Sequence, residues 1–521
     1  MTGEERRRRI VSVRDVEHAA KNGRSIVVPP GVVVTPAARE RAAELNVVIR
    51  VQRERVPPLA LTLPPASPAH DLAEPLAAFI LAAAAQPLPE EVLDHAKLLL
   101  IDSLAAGYAG LRCEAVRALV DALAARRAAE RGHLIGLRYK LAPAEAALVN
   151  AALIHAFAFD PWFAPGAVAP LPGPVAAALA VSDELRLRDP KLLLPAIAIG
   201  VEVACRIAAA ATSTPLLSRT AAVAALGGVA TGAVLFALDF DAILSAFGLA
   251  LSQALLPPDE GGDMGPLVPG LGAQAAVQAA RLAAGGVRGP RRSIEGPGGY
   301  AHLVEGGHFD REAVLEGLGA SWRLEQVAIR PYPVDPAAAA AIEAAVRLVA
   351  RRIPAERIAQ VVLEGSARVV RQSDPALRPA LTGREPPRRL PYLLARTLRD
   401  GWIGLAALEM TAPVEPEVWD LMERIELAVA PDVPPEAITP LRLLALTTDG
   451  VLLEAVVEEP PGALTAEITR ERVLAKLADC FRWSGQPRYR RPLRLADAVD
   501  ALDRAQSLQS FWSAVSPQAA L

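Results

Sequence analysis

The feature that most constrains the fold is a helical pattern that runs almost without interruption through the middle of the chain. Between about residues 72 and 285, apolar residues recur at three- and four-residue spacing, as in EEVLDHAKLLLIDSLAAGYAG, and strand-like segments are few. The chain is 52% hydrophobic, mainly Ala, Leu and Val, but only 4% aromatic. This balance favours closely packed helices over a β-sandwich, which usually needs more aromatic and β-branched residues. We therefore predict a mainly α protein.

The pattern changes in the second half of the chain. Segments such as IAQVVLEG, RIELAVAPD and LLALTTDGVLLEAVVEE are typical of strands, and they alternate with helices such as PAAAAAIEAAVRLVARRI. The last segment returns to a helical pattern. The simplest architecture is a large all-helical domain, residues 72–288, completed by residues 466–515 and carrying an inserted α+β domain, residues 289–465.

The first 55 residues form a separate pattern. RSIVVPP reads as a strand, Thr35 can cap a helix that begins at Pro36, and VVIRV (47–51) reads as a second strand. Residues 1–55 are therefore predicted to be a small β-α-β module, with so little core of its own that we expect it to dock on something else. The proline-rich residues 56–71 are predicted to be a stiff linker.

Charge and hydropathy exclude two classes of partner. Lys and Arg (55) nearly balance Asp and Glu (58), so no global field attracts nucleic acid or anionic lipid. The basic run Arg6–Arg9 is interpreted as a solvated tail. The segment Thr220–Leu238 has no charge, but Ala, Gly and Thr supply most of it, and we expect a buried core helix rather than a membrane span.

No cofactor and no metal are predicted. Cys113, Cys205 and Cys480 are far apart, the histidines show no HxxxH or HExxH spacing, and no GxGxxG joins a strand to a helix. The acidic loop PPDEGGDMG (257–265) lacks the spacing of a calcium loop and is interpreted as solvated. Reduced thiols and an N-terminus without a signal-peptide pattern predict a cytoplasmic protein.

The order of several motifs resembles the MmgE/PrpD family, which includes 2-methylcitrate dehydratases, cis-aconitate decarboxylases and an iminodisuccinate epimerase. The motifs are VLDHAKLLLIDSLAAGYAG, APAEAALVNAALIHAFAFD, LPYLLARTLRDGWIGL and LTTDGVLLEAVVEEPPG with VLAKLADC, and the likeness spans roughly residues 72–515. The resemblance implies a helical domain carrying an α+β lid, a homodimer and a small di- or tricarboxylate ligand. Residues 1–55 loosely resemble N-terminal segments of enzymes from bacterial microcompartment pathways, which makes this module the expected contact for a protein partner.

The chain departs from the family pattern where the pattern carries acids and bases. Members tend to read D-F-D-D-T followed by H-P. Here the corresponding residues are Ala158, Phe159, Asp160, Pro161 and Trp162, followed by Ala169 and Pro170. Of the acid-base groups of this motif, Asp160 alone is kept.

Three further family motifs have also changed. G-W-H corresponds to TSTPLLSRTAAV (212–223), which has no histidine, and M-x-K-P-L-H-x-G corresponds to MGPLVPG (264–270), which has neither lysine nor histidine. K-P-Y-P corresponds to residues 330–333, where Arg330 keeps the positive charge and Tyr332 is retained, but Asp335 and five alanines (337–341) fill the following stretch, where the family often has a histidine. Loss of one general base commonly costs about 10²–10⁴ in rate. Loss at four motifs indicates a non-catalytic scaffolding or regulatory homologue.

The alternative is an active lyase or isomerase with a rebuilt site. In that hypothesis Asp160 and Tyr332 transfer protons, while Arg330 and His155 bind the carboxylates of the substrate. It requires these side chains to converge on an open pocket. A structural role competes for two of them, since His155 lies in an apolar helical segment and Asp160 can cap a turn before Pro161.

Overall fold

The computed structural model describes residues 10–11, 13–22, 25–28, 33–45, 47–51, 70–124, 131–257, 263–334, 336–351, 354–371, 390–408, 414–435, 437–459, 469–485 and 492–516. The chain divides into two compact units, Met1–Pro58 and Leu59–Leu521. The mainly α fold class predicted from the sequence is confirmed.

The N-terminal unit contains two parallel strand pairs and two helices. Its elements are β1 (Ile10–Val11), α1 (Val13–Asn22), β2 (Ser25–Val28), β3 (Val33–Val34), α2 (Pro36–Glu44) and β4 (Val48–Val51). β1 pairs with β3, and β2 pairs with β4. The Thr35 hydroxyl accepts a hydrogen bond from the Ala38 N–H at 3.2 Å, so this residue caps α2 as its sequence position predicts. The elements α1, β1 and β3 were not predicted from the sequence. Arg6–Arg9 and most of the predicted linker lie outside the described residues.

Eleven α-helices described between residues 73 and 315 form the helical part of the second unit. They are α3 (Ala73–Ala84), α4 (Glu90–Gly110), α5 (Glu114–Ala124), α6 (Pro143–His155), α7 (Pro172–Glu184), α8 (Leu193–Ala209), α9 (Arg219–Leu235), α10 (Phe240–Ala254), α11 (Met264–Ala284), α12 (Tyr300–Leu303) and α13 (Arg311–Leu315). Side chains at helix starts satisfy free backbone N–H groups: Ser218 caps α9 and Asp239 caps α10. A short antiparallel hairpin, β5 (Gly132–Leu134) with β6 (Leu137–Leu141), interrupts what the sequence predicts as an all-helical region.

Small residues bring the central helices into direct backbone contact. A Cβ on Gly173 of α7 would lie 2.1 Å from the Ala224 carbonyl oxygen of α9, and one on Gly272 of α11 would lie 2.3 Å from the Ala221 oxygen. The uncharged segment noted in the sequence forms α9, and its interior positions are buried, as expected. Among the described helices, Pro190–Ala209 is the one long and apolar enough to cross a membrane, and 83% of its most apolar stretch is buried inside the protein.

The α+β part contains a four-stranded sheet with helices packed against it. Its elements are α14 (Pro336–Val349), β7 (Ile358–Gly365), α15 (Ala367–Arg371), α16 (Leu390–Asp400), α17 (Pro416–Met422), β8 (Ile425–Val429), β9 (Leu441–Thr447) and β10 (Leu452–Val457). The strand order is β10-β9-β7-β8, with β7 and β8 parallel and the other neighbours antiparallel. These elements enclose a hydrophobic core separate from that of the helices.

The core of the helical part reaches beyond the stretch that the sequence assigns to it. Residues between Ile294 and Ile329, which fall within the predicted 289–465 domain, pack into the same core as α3–α11. The last helices, α18 (Arg470–Trp483), α19 (Pro492–Asp500) and α20 (Gln509–Val515), also contribute to that core. The core of the helical part therefore combines α3–α11, the segment from Ile294 to Ile329 and the last helices, α18–α20.

Candidate functional site

A histidine and an aspartate meet where α6 ends. His155 is the last residue of α6, and its Nδ1 lies 3.0 and 3.1 Å from the two carboxylate oxygens of Asp160. Asp160 is completely buried, whereas the His155 side chain is 17% exposed. Because an ionised carboxylate only accepts hydrogen bonds, this contact favours the tautomer with the proton on Nδ1 and the lone pair on Nε2. The pair is therefore an imidazole held in one orientation by a buried carboxylate.

The loop that carries Asp160 is held in place by its backbone. Ala158 adopts a left-handed conformation, with φ 48°, and its N–H donates to the His155 carbonyl oxygen at 2.9 Å. Two hydrogen bonds of 2.8 Å then join Trp162 and Ala328 as an antiparallel bridge. This bridge ties the loop to the segment that leads into Arg330.

Arg330 is directed at the same loop. Its Nη1 donates to the carbonyl oxygen of Ala158, and its guanidinium stacks on the Trp162 ring at 4.2 Å from the centroid. The cation that the sequence singles out for substrate carboxylates is thus in contact with a carbonyl and an aromatic face of the protein itself.

A buried ion pair lies behind the loop. Lys476 of α18 places Nζ 2.8 Å from Oδ2 of Asp102 of α4, and both side chains are at most 1% exposed. The same Nζ donates to the carbonyl oxygen of Phe159 and lies 3.9 Å from the centroid of that ring. Because Lys476 contacts the residue next to Asp160, the C-terminal helix α18 takes part in positioning the loop.

The electrostatic balance at Asp102 is unusual. Its Oδ1 has no hydrogen-bond partner among the described residues. Burial raises the pKa of Asp102 to about 6, Lys476 acts in the opposite direction, and the negative charge of Asp160 adds to the rise. Two carboxylates, those of Asp102 and Asp160, therefore lie close to a single buried ammonium, that of Lys476.

This ion pair was not predicted from the sequence. Asp102 and Lys476 lie in LLLIDSLAAGYAG and VLAKLADC, which served only as markers of the fold. A charged residue within an apolar helical segment is a signal for a buried partner, because charges are almost never fully buried unless paired.

Tyr332 lies in a different environment from the other three candidates. It belongs to the core of the α+β part, where its hydroxyl donates to Oε2 of Glu343 at 3.0 Å. Burial and the neighbouring Glu343 carboxylate raise the pKa of Tyr332 far above its ordinary value. His155, Asp160 and Arg330 thus gather around one loop, while the Tyr332 hydroxyl is directed at Glu343.

The acidic loop adds little to this site. Asp259 and Glu260 lie outside the described residues, and Asp263 is an exposed residue at the start of α11. Within the described part of the chain, no three His, Cys, Asp or Glu side chains are grouped so as to hold a metal ion.

Comparison with known proteins identifies the family. Residues 74–312 match the MmgE/PrpD N-terminal domain, and residues 332–501 match the MmgE/PrpD C-terminal domain. The chain belongs to the MmgE/PrpD family. The two regions of the family cover the helical part and the α+β part, and the N-terminal unit lies outside both.

Curated relatives within the MmgE/PrpD family are cis-aconitate decarboxylases. One from Aspergillus terreus (strain NIH 2624 / FGSC A1156) is 26% identical over 423 residues, which cover 75% of this chain and 86% of that protein. The one from Homo sapiens is 26% identical over 365 residues, which cover 66% of this chain and 74% of that protein. At this identity the comparison assigns the family and leaves the reaction open.

The loop that resembles the D-F-D-D-T motif of the MmgE/PrpD family has the following contacts. Asp160 is the partner of His155. The carbonyl oxygen of Ala158 accepts a hydrogen bond from Arg330, and the Trp162 ring provides the face on which Arg330 stacks.

Proposed function

We propose that this chain is a MmgE/PrpD protein without the proton-transfer chemistry of the family, acting as a scaffolding or regulatory homologue of small-carboxylate lyases. The observation that carries the proposal is the contact of Arg330 with Trp162 and with the Ala158 carbonyl. These are two positions where the family pattern has polar side chains. The retained cation is engaged by the loop at the place where a lyase would offer a carboxylate and a hydroxyl.

The surviving acid and base support the same proposal. Asp160 is enclosed and bonded to His155, and Tyr332 donates to Glu343. Proton abstraction next to a carboxylate needs a positioned base and relief of the negative charge that develops. None of the contacts made by Asp160 or Tyr332 requires a substrate.

The test is direct measurement of turnover by the purified full chain. We expect neither decarboxylation nor dehydration or hydration with cis-aconitate, citrate or 2-methylcitrate. The Aspergillus terreus cis-aconitate decarboxylase serves as the positive control under the same conditions. Turnover that disappears in Asp160→Ala would contradict the proposal.

A second candidate is an active lyase or isomerase acting on a small di- or tricarboxylate with a rebuilt site. The His155–Asp160 pair favours it, because a partly exposed imidazole held at Nδ1 by a carboxylate is the arrangement of a general acid or base. The sequence predicts proton transfer by Asp160 and Tyr332 and carboxylate binding by His155; the contact between His155 and Asp160 instead favours Nε2 of His155 as the group that moves the proton. Arg330 would have to leave Trp162 to bind a carboxylate, and Tyr332 would have to leave Glu343 to take part.

One pair of variants separates the two candidates. If turnover is found, His155→Asn should lower kcat by about 10²–10⁴ under the second candidate. His302→Asn, which changes an exposed histidine far from the loop in sequence, is the matched control and should retain activity. Equal activity of both variants would exclude His155 as the proton carrier.

We further propose that the chain retains a small carboxylate ligand near Arg330. A ligand that binds the native state raises the melting temperature in proportion to RT ln(1 + [L]/Kd). A thermal-shift screen with small di- and tricarboxylates should therefore yield a shift that Arg330→Gln reduces. Absence of any shift, or a shift unaffected by the substitution, would contradict carboxylate binding at this place.

A protein partner remains part of the scaffolding proposal. The N-terminal unit, Met1–Pro58, is the described compact unit that lies outside both family regions. We place the partner contact there. Cross-linking of the full chain to its protein partner should then give products that map to this unit. Products confined to residues 74–501 would place the contact elsewhere.

A further inference from the structure

A second concave site lies away from the loop around Asp160. A cavity of about 380 Å³ opens between the β5–β6 hairpin, the C-terminal end of α7 and the last helix, α20. This volume is in the range of small-molecule sites in proteins. Its lining includes no residue of the loop 156–171.

A histidine held from two sides forms part of the wall. His133 places Nδ1 2.7 Å from Oδ2 of Asp183, and the His133 N–H donates to the same oxygen at 3.0 Å. The ring stacks on Trp512, with centroids 4.6 Å apart and planes 12° from parallel. With one edge on Asp183 and one face on Trp512, the remaining ring nitrogen, Nε2, is the group that His133 can offer a ligand.

Two cations line the same cavity. Lys140 of β6 and Arg186 at the end of α7 are both exposed, and within the described ranges neither side chain forms an ion pair. Asp183, which also lines the cavity, already accepts two hydrogen bonds from His133. The cationic groups are thus left available for an anion from solution.

The backbone at Arg186 adds a second observation. Arg186 adopts a left-handed conformation, with φ 46°, at the position after a helix where glycine or asparagine is favoured. A residue with a long side chain is strained there, and such strain is concentrated at functional positions. The strained residue is one of the two cations that line the cavity.

We propose that this cavity binds a small organic anion, whose carboxylate or phosphate group is held by Lys140 and Arg186. With its proton on Nδ1 toward Asp183, His133 presents the Nε2 lone pair, which accepts a hydrogen bond from a hydroxyl group of the ligand. Leu187 and Leu508 supply an apolar wall for the rest of the molecule. Because α20 supplies part of the lining, the ligand would join the last helix to the β5–β6 hairpin. The site is independent of the proposed function, since it shares no residue with the loop around Asp160.

The test is isothermal titration of the full chain with inorganic phosphate and, separately, with glutarate. The double variant Lys140→Gln/Arg186→Gln should raise Kd by roughly tenfold for each cation removed. The control is Arg138→Gln/Arg188→Gln, which makes the same change in net charge on the same two segments, at exposed residues outside the lining. This control should leave both Kd values unchanged. Arg330→Gln should leave the Kd of this site unchanged, whereas glutarate binding that Arg330→Gln removes belongs to the site near the Asp160 loop.

The two probes distinguish the sources of the anion. Binding of phosphate alone assigns a phosphorylated ligand, and binding of glutarate alone assigns a carboxylate. Binding of neither probe at millimolar concentration overturns the proposal. Equal weakening in the double variant and its control also overturns it, because the effect would then come from net charge. Binding here with no carboxylate response at Arg330 would leave this site standing while the carboxylate proposal fails.

Discussion

At the scale of single residues, the buried pair of Asp102 and Lys476 has a large energetic consequence. A buried ion pair stabilises a protein little more than well-packed apolar residues would. The loss of one partner, however, leaves the other charge unpaired in the interior. Here the unpaired residue would be Asp102, whose Oδ1 already has no hydrogen-bond partner within the described ranges. The pair therefore controls whether the loop at Phe159 keeps its support.

Substitution of Lys476 should destabilise the protein strongly. We expect Lys476→Met to lower the free energy of unfolding by about 3–5 kcal/mol, because Asp102 becomes an uncompensated buried charge. The double variant Asp102→Leu/Lys476→Met should recover most of this loss. Chemical denaturation is the measurement. The control is Arg470→Met, because Arg470 lies on α18 with Lys476 and its ion pair with Asp500 of α19 is more exposed. Loss of that pair should cost about 0–1 kcal/mol. A similar cost for both single variants would show that the buried pair is not special.

Asp102 should also make stability depend on pH. Its pKa rises from 3.8 to about 6 in the folded protein, so the folded state holds this proton more tightly than the unfolded state. The stabilisation is complete below pH 3.8 and is lost as the pH rises through 6. At 1.36 kcal/mol per pKa unit the effect is about 3 kcal/mol.

The pH dependence can be isolated by difference. Free energies of unfolding of the wild type and Asp102→Asn should be measured at several values between pH 4 and 7. The wild type should lose stability relative to the variant as the pH rises. A difference that stays constant over this range would mean that Asp102 does not take up a proton there.

At the scale of elements, close backbone packing explains why the central helices tolerate only glycine at certain positions. Gly173 and Gly272 face backbone oxygens of α9, which cannot move aside as a flexible side chain can. Alanine is ordinarily the better helix former by about 1 kcal/mol. The contacts between helices therefore outweigh the intrinsic propensity of the residue.

The glycine contacts give a prediction of opposite effects. Gly173→Ala should lower the free energy of unfolding by at least about 2 kcal/mol, because the new Cβ would lie 2.1 Å from the Ala224 oxygen. Gly285→Ala, at the end of α11, meets only ordinary contacts and has φ −82°, so it should be neutral or stabilise by up to about 1 kcal/mol. Thermal or chemical denaturation measures both. Equal costs would mean that the helices can separate at Gly173.

Periodicity predicted the elements more completely than the site. The strand segments IAQVVLEG and RIELAVAPD contain β7 and β8, because apolar alternation and β-branched residues are local signals. The helix α1 was missed, since it follows an arginine run interpreted as a tail. Lys476 and Asp102 were missed for a different reason: they are 374 residues apart, and no local pattern reports which distant charge neutralises another. His155 and Asp160 were named individually, but their contact depends on the turn at Ala158.

At the scale of the whole molecule, the family resemblance implies a homodimer. We expect sedimentation equilibrium of the full chain to give twice the mass of one chain. The mass should not change when phosphate or glutarate is added, because the proposed anion site is completed by residues of one chain. A monomer at micromolar concentration would contradict the dimer.

The last helix has a consequence for biosynthesis. The Tyr108 hydroxyl lies 2.8 Å from the Ala514 carbonyl oxygen, the Gly136 N–H donates to the Val515 oxygen, and the Phe511 side chain is buried in the core of the helical part. These contacts join residues some 400 positions apart, so the helical part has a high contact order. On the ribosome, the sheet formed by residues 358–457 is synthesised completely before α20, so the helices made earlier still lack α20 as a packing partner. Nascent chains should therefore expose an apolar seam near Tyr108 until synthesis has passed residue 515, which makes this the stage at which a chaperone would be needed.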